Sequence, residues 1–377
     1  MEHLAITTKH PLWRYEKISS VHIELSSKCN AACPGCTRFM MNSPIPDPRL
    51  IQTEITYEDF VKWFPKEIMS NIYYWLLCGD YGDPMACKDI YKILEYIAEH
   101  SPGNIQVNTN GGLRSKTLYR QIGELFAQKK PVNGVIPKRV ITFSIDGLED
   151  TNHIYRRNVK WSRVWENLLA YVETGALAHW DFLQFKHNVH QIEKARELAY
   201  QHGMIFILKN PFGVDGQAMP AYDKNLKLDY VIEHANNNGY PPYVPADPRY
   251  IAPKFIPIKV EGSIDCMSSR KAPVPYHDRS VVEIYIDALG RVLPCCFVGV
   301  RMLVTHSPEA IQVQEIQSQM ENKNSLHHHS LKEILDSKVL DIYSKSWKSK
   351  SIGVCWNQCG KSIDKDRKID SLFKDAK

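Results

Sequence analysis

The stretch VHIELSSKCNAACPGC, residues 21–36, decides how the rest of the sequence is interpreted. Val21–Leu25 form a short run rich in β-branched and aliphatic residues and predict a β-strand. Three cysteines follow directly in the spacing C-x3-C-x2-C, at Cys29, Cys33 and Cys36. Ligand sites in parallel sheets are built from the loops at the strand ends. Three thiolates on one short loop of this kind can hold a single metal centre.

The number of cysteines in this loop limits the kind of metal centre. A structural zinc site needs four ligands, whereas a [4Fe–4S] cluster on three thiolates leaves one iron open to an external ligand. The chain has ten cysteines and begins without a basic and apolar secretory segment. Since cytoplasmic thiols are kept reduced, we expect metal or redox chemistry in a cytoplasmic protein. Structural zinc and an unrelated iron–sulfur module are the alternatives.

Length, composition and charge exclude several classes of protein. The 377 residues suffice for roughly two to three domains, and 24% charged and 44% hydrophobic residues are ordinary for a globular chain. Apolar runs such as Ile72–Cys78 are far shorter than the roughly 20 residues of a membrane span, so no membrane association is expected.

The net charge of +5 is carried by residues 345–377, with nine Lys and Arg against four Asp. This distribution favours a solvated basic tail, with an acidic partner as the alternative, and makes nucleic acid an unfavoured partner.

Strand-like runs alternate with segments of helical periodicity up to about Phe212. Repeated strand–helix units predict a parallel sheet, which is either open and doubly wound or closed into a full or partial barrel. The predicted strands are Val21–Leu25, Ile72–Leu77, Ile105–Asn108, Val140–Ser144, Phe182–Phe185 and Ile205–Leu208. The helices between them carry apolar stripes, as in Ile90, Ile93, Leu94 and Ile97.

The pattern changes in the last third of the chain. Six prolines between residues 241 and 257 predict an irregular joint between domains. Beyond this joint, Val281–Ile286 and Arg291–Leu293 predict a β-hairpin. A capping box at Ser330 then predicts a helix with an apolar face of Leu331, Ile334, Leu335 and Ile342.

At Cys29, Cys33 and Cys36 the chain resembles the radical S-adenosylmethionine superfamily, in which this spacing follows the first strand. The resemblance implies an α/β fold, a partial (β/α)6 TIM barrel followed by a small α+β domain with a β-hairpin. It also implies a [4Fe–4S] cluster whose open iron binds the amino and carboxylate groups of S-adenosylmethionine. Gly35 departs from the family, which usually has an aromatic residue before the last cysteine.

Later strand ends resemble the positions with which the family holds S-adenosylmethionine. Tyr81-Gly82-Asp83-Pro84 is similar to the Gly-Gly-Glu-Pro turn that contacts the methionine amino group, with Asp in place of Glu. Ser144-Ile145-Asp146-Gly147 is similar to the Ser-x-Asp-Gly motif that reaches the ribose or the substrate. The resemblance implies further contacts, each with a purely structural alternative, at Asn108, Asn110, Arg156, Lys186 and Asn188.

The cysteines of the last third resemble those of the SPASM and twitch extensions, which hold auxiliary clusters. The resemblance implies one auxiliary [4Fe–4S] cluster on Cys266, Cys295, Cys355 and Cys359, in the shorter twitch form. The G-x4-C spacing from Gly290 favours Cys295 over Cys296. Cys78 and Cys87 are expected as buried free thiols. The predicted parts are an N-terminal extension (1–16), the radical core (17–215), the joint (216–262), the auxiliary-cluster domain (263–360) and a basic tail (361–377).

The resemblance implies an enzyme, an oxidoreductase or maturase that cleaves S-adenosylmethionine reductively and uses the 5′-deoxyadenosyl radical to take hydrogen from a substrate. A peptide or protein is the first substrate class. Oxidation of a small molecule or sugar and modification of a nucleobase are the alternatives, as is an iron–sulfur regulatory module without turnover. A flavodoxin- or ferredoxin-type protein is implied as electron donor.

Overall fold

The computed structural model describes residues 12–211, 218–235, 256–257, 266, 269–271, 280–304, 307–349 and 351–359. The predicted basic tail and residues 1–11 of the predicted N-terminal extension lie outside these ranges. The strands are β1 Ile18–Ile23, β2 Tyr74–Leu77, β3 Asn104–Thr109, β4 Arg139–Ser144, β5 Leu177–Leu183, β6 Ile205–Lys209, β7 Met219–Tyr222, β8 Leu228–Ile232, β9 Ile256–Pro257, β10 Ser269–Lys271, β11 Ser280–Ile286 and β12 Val292–Leu293.

The α-helices cover the sheet and connect its strands. They are α1 Tyr57–Trp63, α2 Lys66–Met69, α3 Ile90–His100, α4 Lys116–Ala127, α5 Asn152–Tyr155, α6 Trp161–Val172, α7 Ile192–Gln201, α8 Cys296–Gly299, α9 Pro308–Gln319, α10 Leu331–Asp336, α11 Asp341–Ser349 and α12 Gly353–Cys359. None of the helices in the described part of the chain has the length and apolar character that a membrane crossing requires.

The first six strands form the predicted parallel sheet. Their spatial order, β6-β5-β4-β3-β2-β1, follows the chain, and each pair is parallel. Through the described residues the sheet is an open path that ends at β6 and β9 rather than a closed barrel. The α/β class is therefore confirmed, and the carboxyl ends of six neighbouring strands meet at one edge.

The C-terminal hairpin joins this sheet. β11 and β12 are antiparallel, as predicted for the hairpin, but β11 also pairs in parallel with β1, with Val21 opposite Ile284. The hairpin thus extends the sheet beyond β1 instead of forming a sheet of its own. Because β11 and β1 run in the same direction, this pairing puts the turn between β11 and β12 at the same edge of the sheet as the loop after β1.

Three sequence predictions differ from the structure in detail. The fifth strand is Leu177–Leu183 rather than Phe182–Phe185, because polar His179 and Asp181 interrupt its apolar run. Ile342 does not belong to the helix that Ser330 caps: α10 ends at Asp336, and Ile342 is exposed on α11. The hairpin of β7 and β8 lies inside the predicted joint and was not predicted.

The two faces of the parallel sheet differ in polarity. Ile105 and Val107 of β3 are buried in the main apolar core, together with the predicted stripe of α3. Asn104, Gln106 and Asn108 alternate with them and are only partly buried. Parallel strands are usually apolar on both faces, so this alternation marks an inner face that contacts polar groups.

Candidate active site

The three cysteines of the C-x3-C-x2-C spacing lie together in the loop after β1, here called the cysteine loop (residues 29–36). Cys33 is buried, whereas Cys29 and Cys36 are half-buried. Burial raises the pKa of Cys29 to about 12 and that of Cys33 to about 11, and a neighbouring thiol of the loop raises each further. No three His, Cys, Asp or Glu side chains of the described residues surround a single-ion site. A [4Fe–4S] cluster binds each thiolate through a different iron, so its ligands stand farther apart.

Nitrogen donors point at the thiols of the cysteine loop. The Ala31 amide donates to Cys29 Sγ at 3.4 Å, and Asn110 Nδ2 donates to the same sulfur at 3.5 Å. Arg156 Nη1 lies 4.0 Å from Cys33 Sγ. Hydrogen bonds and positive charge of this kind stabilise thiolates, which are the metal-binding form of cysteine.

The surroundings of Arg38 indicate whether the cysteine loop is suited to hold an anionic group. The side chain is 4% exposed, its Nε and Nη1 have no hydrogen-bond partner, and no described carboxylate is ion-paired with it. A buried cation without a partner is costly. Burial raises the pKa of Cys36, while the Arg38 charge acts on Cys29 and Cys36 in the opposite direction. Three thiols near a buried guanidinium that pairs with none of the described carboxylates therefore fit an iron–sulfur cluster of negative charge.

Gly35 replaces the aromatic residue expected at this position for a local reason. Its φ is +77°, and a Cβ there would lie 2.7 Å from Met219 Sδ of β7. The Gly35 amide donates to Asn42 Oδ1 at 3.1 Å, and Asn42 Nδ2 donates to the Pro220 carbonyl at 3.1 Å. The β7–β8 hairpin thus packs against the cysteine loop where a larger side chain would stand.

The turn after β2 is fixed by a buried carboxylate that sequence reasoning missed. Glu24 Oε1 accepts hydrogen bonds from the amides of Tyr81 and Gly82, each at 2.7 Å. A Cβ on Gly82 would lie 1.6 Å from the Ser26 carbonyl oxygen, so only glycine fits. Burial raises the pKa of Glu24 to about 7. The turn is thereby held against the segment that leads into the cysteine loop.

Asp83 joins the turn after β2 to the end of β3. Its carboxylate accepts hydrogen bonds from the Met85 amide at 2.9 Å, the Asn110 amide at 2.8 Å and the Thr109 hydroxyl at 2.9 Å. Burial raises its pKa, whereas these donors lower it. Asn110 in turn contacts Cys29, so the predicted positions Asp83 and Asn110 are brought together beside the cysteine loop.

Asp146 and Arg156 form a buried ion pair on the other side of the loop. Arg156 Nε donates to Asp146 Oδ2 at 2.6 Å, and the second oxygen of Asp146 accepts from the Leu183 amide at 2.7 Å. Burial raises the pKa of Asp146, and the Arg156 charge lowers it. Ser144, two residues before Asp146, ends β4 and is half-buried. The pair presents the guanidinium to Cys33 in a fixed orientation.

Two of the predicted cofactor contacts have other partners in the structure. Lys186 is exposed, pairs with Glu233 at 2.7 Å, and lines an open cavity of about 850 Å³. Asn188 is fully buried, and its Nδ2 donates to the carbonyls of Asp146 and Leu183, each at 2.9 Å. Asn188 therefore holds the loops after β4 and β5 together.

The inner face of the sheet carries polar residues beyond those predicted. Gln106 Nε2 donates to Asn108 Oδ1 at 2.9 Å and to the Thr142 hydroxyl at 3.3 Å. Lys209 of β6 is ion-paired with buried Asp181 of β5. Alternation of polar and apolar residues within β3 and β5 is the sequence signal that could have identified this face.

Four cysteines of the last third line one small cavity of about 20 Å³, here called the C-terminal cysteine pocket: Cys266, Cys295, Cys355 and Cys359. Cys295 directly precedes α8, and Cys355 and Cys359 lie one turn apart on α12. Aromatic and aliphatic side chains make up most of the remaining wall, among them Trp13, Tyr343, Trp347 and Val354.

Cys296, the alternative to Cys295, faces a different neighbourhood. Burial raises its pKa well above the usual range, and Asp80, Cys295, Glu283 and Cys78 raise it further, in that order. Burial also raises the pKa of Cys295, and the neighbouring thiols of Cys266 and Cys359 raise it further. The structure thus brings Cys295 together with the predicted auxiliary set, and Cys296 with the end of β2. Cys87 is fully buried, and its thiol donates to the Ile55 carbonyl at 3.3 Å.

Comparison with known proteins gives distant relatives only. No protein-family model matches the chain. The FeMo cofactor biosynthesis protein NifB of Methanocaldococcus jannaschii is 25% identical over 126 residues, which is 32% of this chain and 42% of that protein.

Among solved structures, Streptococcus suis SuiB bound to S-adenosylmethionine has a TM-score of 0.47 and 16% identity, over 77% of this chain and 62% of SuiB. anSMEcpe with bound AdoMet has a TM-score of 0.38 and 15% identity, over 52% and 51% of the two chains. The chain covers less than two thirds of the length of each of these proteins. The C-x3-C-x2-C loop after β1 of the parallel six-stranded sheet, and the strand-end motifs beside it, are the features by which the chain resembles the radical S-adenosylmethionine superfamily of enzymes.

Proposed function

We propose that Cys29, Cys33 and Cys36 bind a [4Fe–4S] cluster and that S-adenosylmethionine binds beside it. The observation that carries the proposal is the convergence, at one strand end, of three thiols, their nitrogen donors and buried Arg38, which has no ion pair among the described residues. When bound, the cluster supplies one electron that splits S-adenosylmethionine into methionine and a 5′-deoxyadenosyl radical, which takes a hydrogen atom from the substrate.

The protein's part is to bind and orient. Three thiolates leave one iron open for the amino and carboxylate groups of S-adenosylmethionine. Asp83 is proposed to accept a hydrogen bond from the ammonium group, and Arg156, held by Asp146, to pair with the carboxylate. Tyr81, Gly82, Asn108, Asn110, Ser144, Asp146, Lys186 and Asn188 remain predicted contacts with the rest of the cofactor.

We propose that the C-terminal cysteine pocket holds one auxiliary [4Fe–4S] cluster. All four of its thiols line the same small cavity, whose wall also includes Trp13, and the Trp13 indole donates to the Glu283 carbonyl of β11 at 3.1 Å. An auxiliary centre there would accept the electron that remains on the substrate after hydrogen removal, so that the net reaction is an oxidation or a crosslink. A flavodoxin- or ferredoxin-type protein would supply the first electron.

A peptide or protein is the proposed substrate class. The open cavity of about 850 Å³ beside the β7–β8 hairpin supports an extended substrate, because charges of both signs line it, including Lys224, Asp229 and Glu233. Small-molecule oxidation is the second candidate, and the polar inner face of Gln106, Asn108 and Thr142 favours it. Both classes would bring the reacting carbon to the carboxyl ends of the strands.

The test is anaerobic reconstitution with iron and sulfide, followed by dithionite reduction in the presence of S-adenosylmethionine. We expect about eight irons per chain and formation of 5′-deoxyadenosine. Cys33→Ala should lose about half of the iron and all 5′-deoxyadenosine, whereas the control Cys87→Ala removes a buried thiol outside both sets and should lose neither. Stoichiometric zinc in native protein, or 5′-deoxyadenosine from Cys33→Ala, contradicts the proposal.

The substrate class is tested by fractionating an extract of the organism that carries the gene. Fractions are assayed for the increase in 5′-deoxyadenosine formation that a true substrate causes. A stimulating activity that protease destroys supports a polypeptide. One that survives protease and nuclease and passes a small-pore filter supports the small-molecule alternative.

A further inference from the structure

Two arginines lie near the cysteine loop, and among the described residues only Arg156 has an anionic partner. Arg156 is neutralised by Asp146 at 2.6 Å. Arg38 has no ion pair with any described residue, although it is 4% exposed. Its guanidinium carbon lies 5.5 Å from the centre of the Phe39 ring, which leaves the full positive charge in place.

Two acidic residues near the cysteine loop, Asp47 and Glu54, form ion pairs with other cations. The Asp47 carboxylate accepts two hydrogen bonds from the Arg49 guanidinium, the shorter at 2.7 Å, and the only hydrogen bond between Asp47 and Arg38 among the described residues is that from the Asp47 amide to the Arg38 carbonyl. Lys28 pairs with Glu54 at 3.3 Å. Each of the nearby pairs is partly solvated, whereas Nε and Nη1 of Arg38 are inaccessible to water.

An unpaired buried charge is retained only where a counter-charge compensates it. The Arg38 charge acts on Cys29 and Cys36, the first and last cysteines of the loop. Three thiolates with their cluster form an anion, which is the counter-charge that the described residues do not provide. The same anion accepts hydrogen bonds at its sulfur atoms, and Nε and Nη1 are two N–H donors without acceptors.

We propose that Arg38 is a positioning residue for the iron–sulfur cluster, which compensates its negative charge from within the protein and makes the cluster easier to reduce. This inference rests on the proposed function, because it needs a cluster on the cysteine loop. Reduction adds one negative charge to the cluster, and a fixed cation in a low-dielectric site stabilises the more negative state more strongly. Hydrogen bonds to cluster sulfur act in the same direction.

The inference is tested on the reconstituted protein with Arg38→Met, Arg38→Lys and the control Arg49→Met, which removes an exposed arginine of the same region. The midpoint potential of the cysteine-loop cluster is measured without S-adenosylmethionine, in a Cys295→Ala background that lacks the auxiliary set. We expect a shift to lower potential in Arg38→Met, a smaller shift in Arg38→Lys and none in Arg49→Met. Loss of iron to a chelator should be about tenfold faster in Arg38→Met, the effect of losing one charge-assisted hydrogen bond.

A second measurement separates this role from a general role in folding. Urea unfolding of the metal-free protein should give the same or a higher midpoint for Arg38→Met than for wild type, because the variant removes a buried unpaired charge. A lower midpoint in the metal-free form, or an unchanged cluster potential with unchanged iron retention, overturns the proposal. Wild-type protein that binds no iron at the cysteine loop would instead overturn the proposed function itself.

Discussion

The cysteine loop takes its three thiols from eight consecutive residues, whereas the C-terminal cysteine pocket collects four thiols from segments as far apart as residues 266 and 359. The loop is bordered by N–H donors from Ala31, Asn110 and Arg156. The pocket is closed mainly by aromatic and aliphatic side chains.

This difference indicates two kinds of centre. A polar site at a strand end can exchange a ligand such as S-adenosylmethionine, because its donors remain available to successive molecules. A small apolar cavity suits a centre that stays bound and either transfers electrons or stabilises the fold. The predictions that follow test this contrast, beginning with the largest expected effect.

Gly82→Ala should abolish cleavage of S-adenosylmethionine while leaving about half of the iron in place. The new Cβ would lie 1.6 Å from the Ser26 carbonyl and must displace the segment before Cys29, at a cost of about 3 kcal/mol. The measurements are 5′-deoxyadenosine and iron content. Gly134→Ala is the control, since a Cβ there meets nothing within 4 Å although its φ is +77°. Normal cleavage by Gly82→Ala would show that the turn does not support the loop.

Cys359→Ala should abolish the final product and about half of the iron, yet some 5′-deoxyadenosine should still form. Cleavage needs only the cysteine loop, whereas completing an oxidation needs an acceptor for the second electron. Circular dichroism must first show a folded variant, because metal binding is often part of folding energy. Cys296→Ala is the matched control, because this neighbouring thiol is not among the residues that line the pocket. Full product from a folded Cys359→Ala protein would make the pocket purely structural.

Asp83→Asn should weaken binding of S-adenosylmethionine about ten- to a hundredfold with unchanged iron content, because the amide has no negative charge for the ammonium group. Isothermal titration under anaerobic conditions measures this affinity. Thr109→Val removes one donor to Asp83 but leaves the carboxylate, so it should have a smaller effect. Equal losses in both variants would assign Asp83 to holding the turn rather than to the cofactor.

Lys186→Ala should change the affinity for S-adenosylmethionine least, because its ammonium group is exposed and paired with Glu233 at 2.7 Å. Surface ion pairs contribute about 0–1 kcal/mol. Anaerobic isothermal titration with S-adenosylmethionine measures this affinity as well. A loss as large as that of Asp83→Asn would show that Lys186 reaches the cofactor, as the resemblance implies.

The local parts of the fold and site could be predicted from the sequence. The cysteine loop, the strand before it and the strand-end turns depend on short spacings and on runs of β-branched residues. The position of β5 was predicted too far along the chain, because polar His179 and Asp181 interrupt the apolar run that marks a strand. The strand was nevertheless visible in the sequence as an alternation of polar and apolar residues.

Long-range contacts could not be predicted in this way. The parallel pairing of β11 with β1 joins residues about 260 positions apart and leaves no local signal. Glu24 and Arg38 look like ordinary charged residues in the sequence, and only the fold shows that Glu24 holds a turn and that Arg38 is buried without an ion pair in the described part of the chain. Which cysteine of the pair at 295 and 296 faces the pocket also depends on the start of α8.

The most direct test of the account is the electron paramagnetic resonance spectrum of the reduced protein before and after addition of S-adenosylmethionine. The account predicts that the cofactor changes the signal of one cluster, that Cys33→Ala loses this response, and that Cys295→Ala keeps it. A response that persists in Cys33→Ala and disappears in Cys295→Ala would place the cofactor at the C-terminal cysteine pocket and contradict the account.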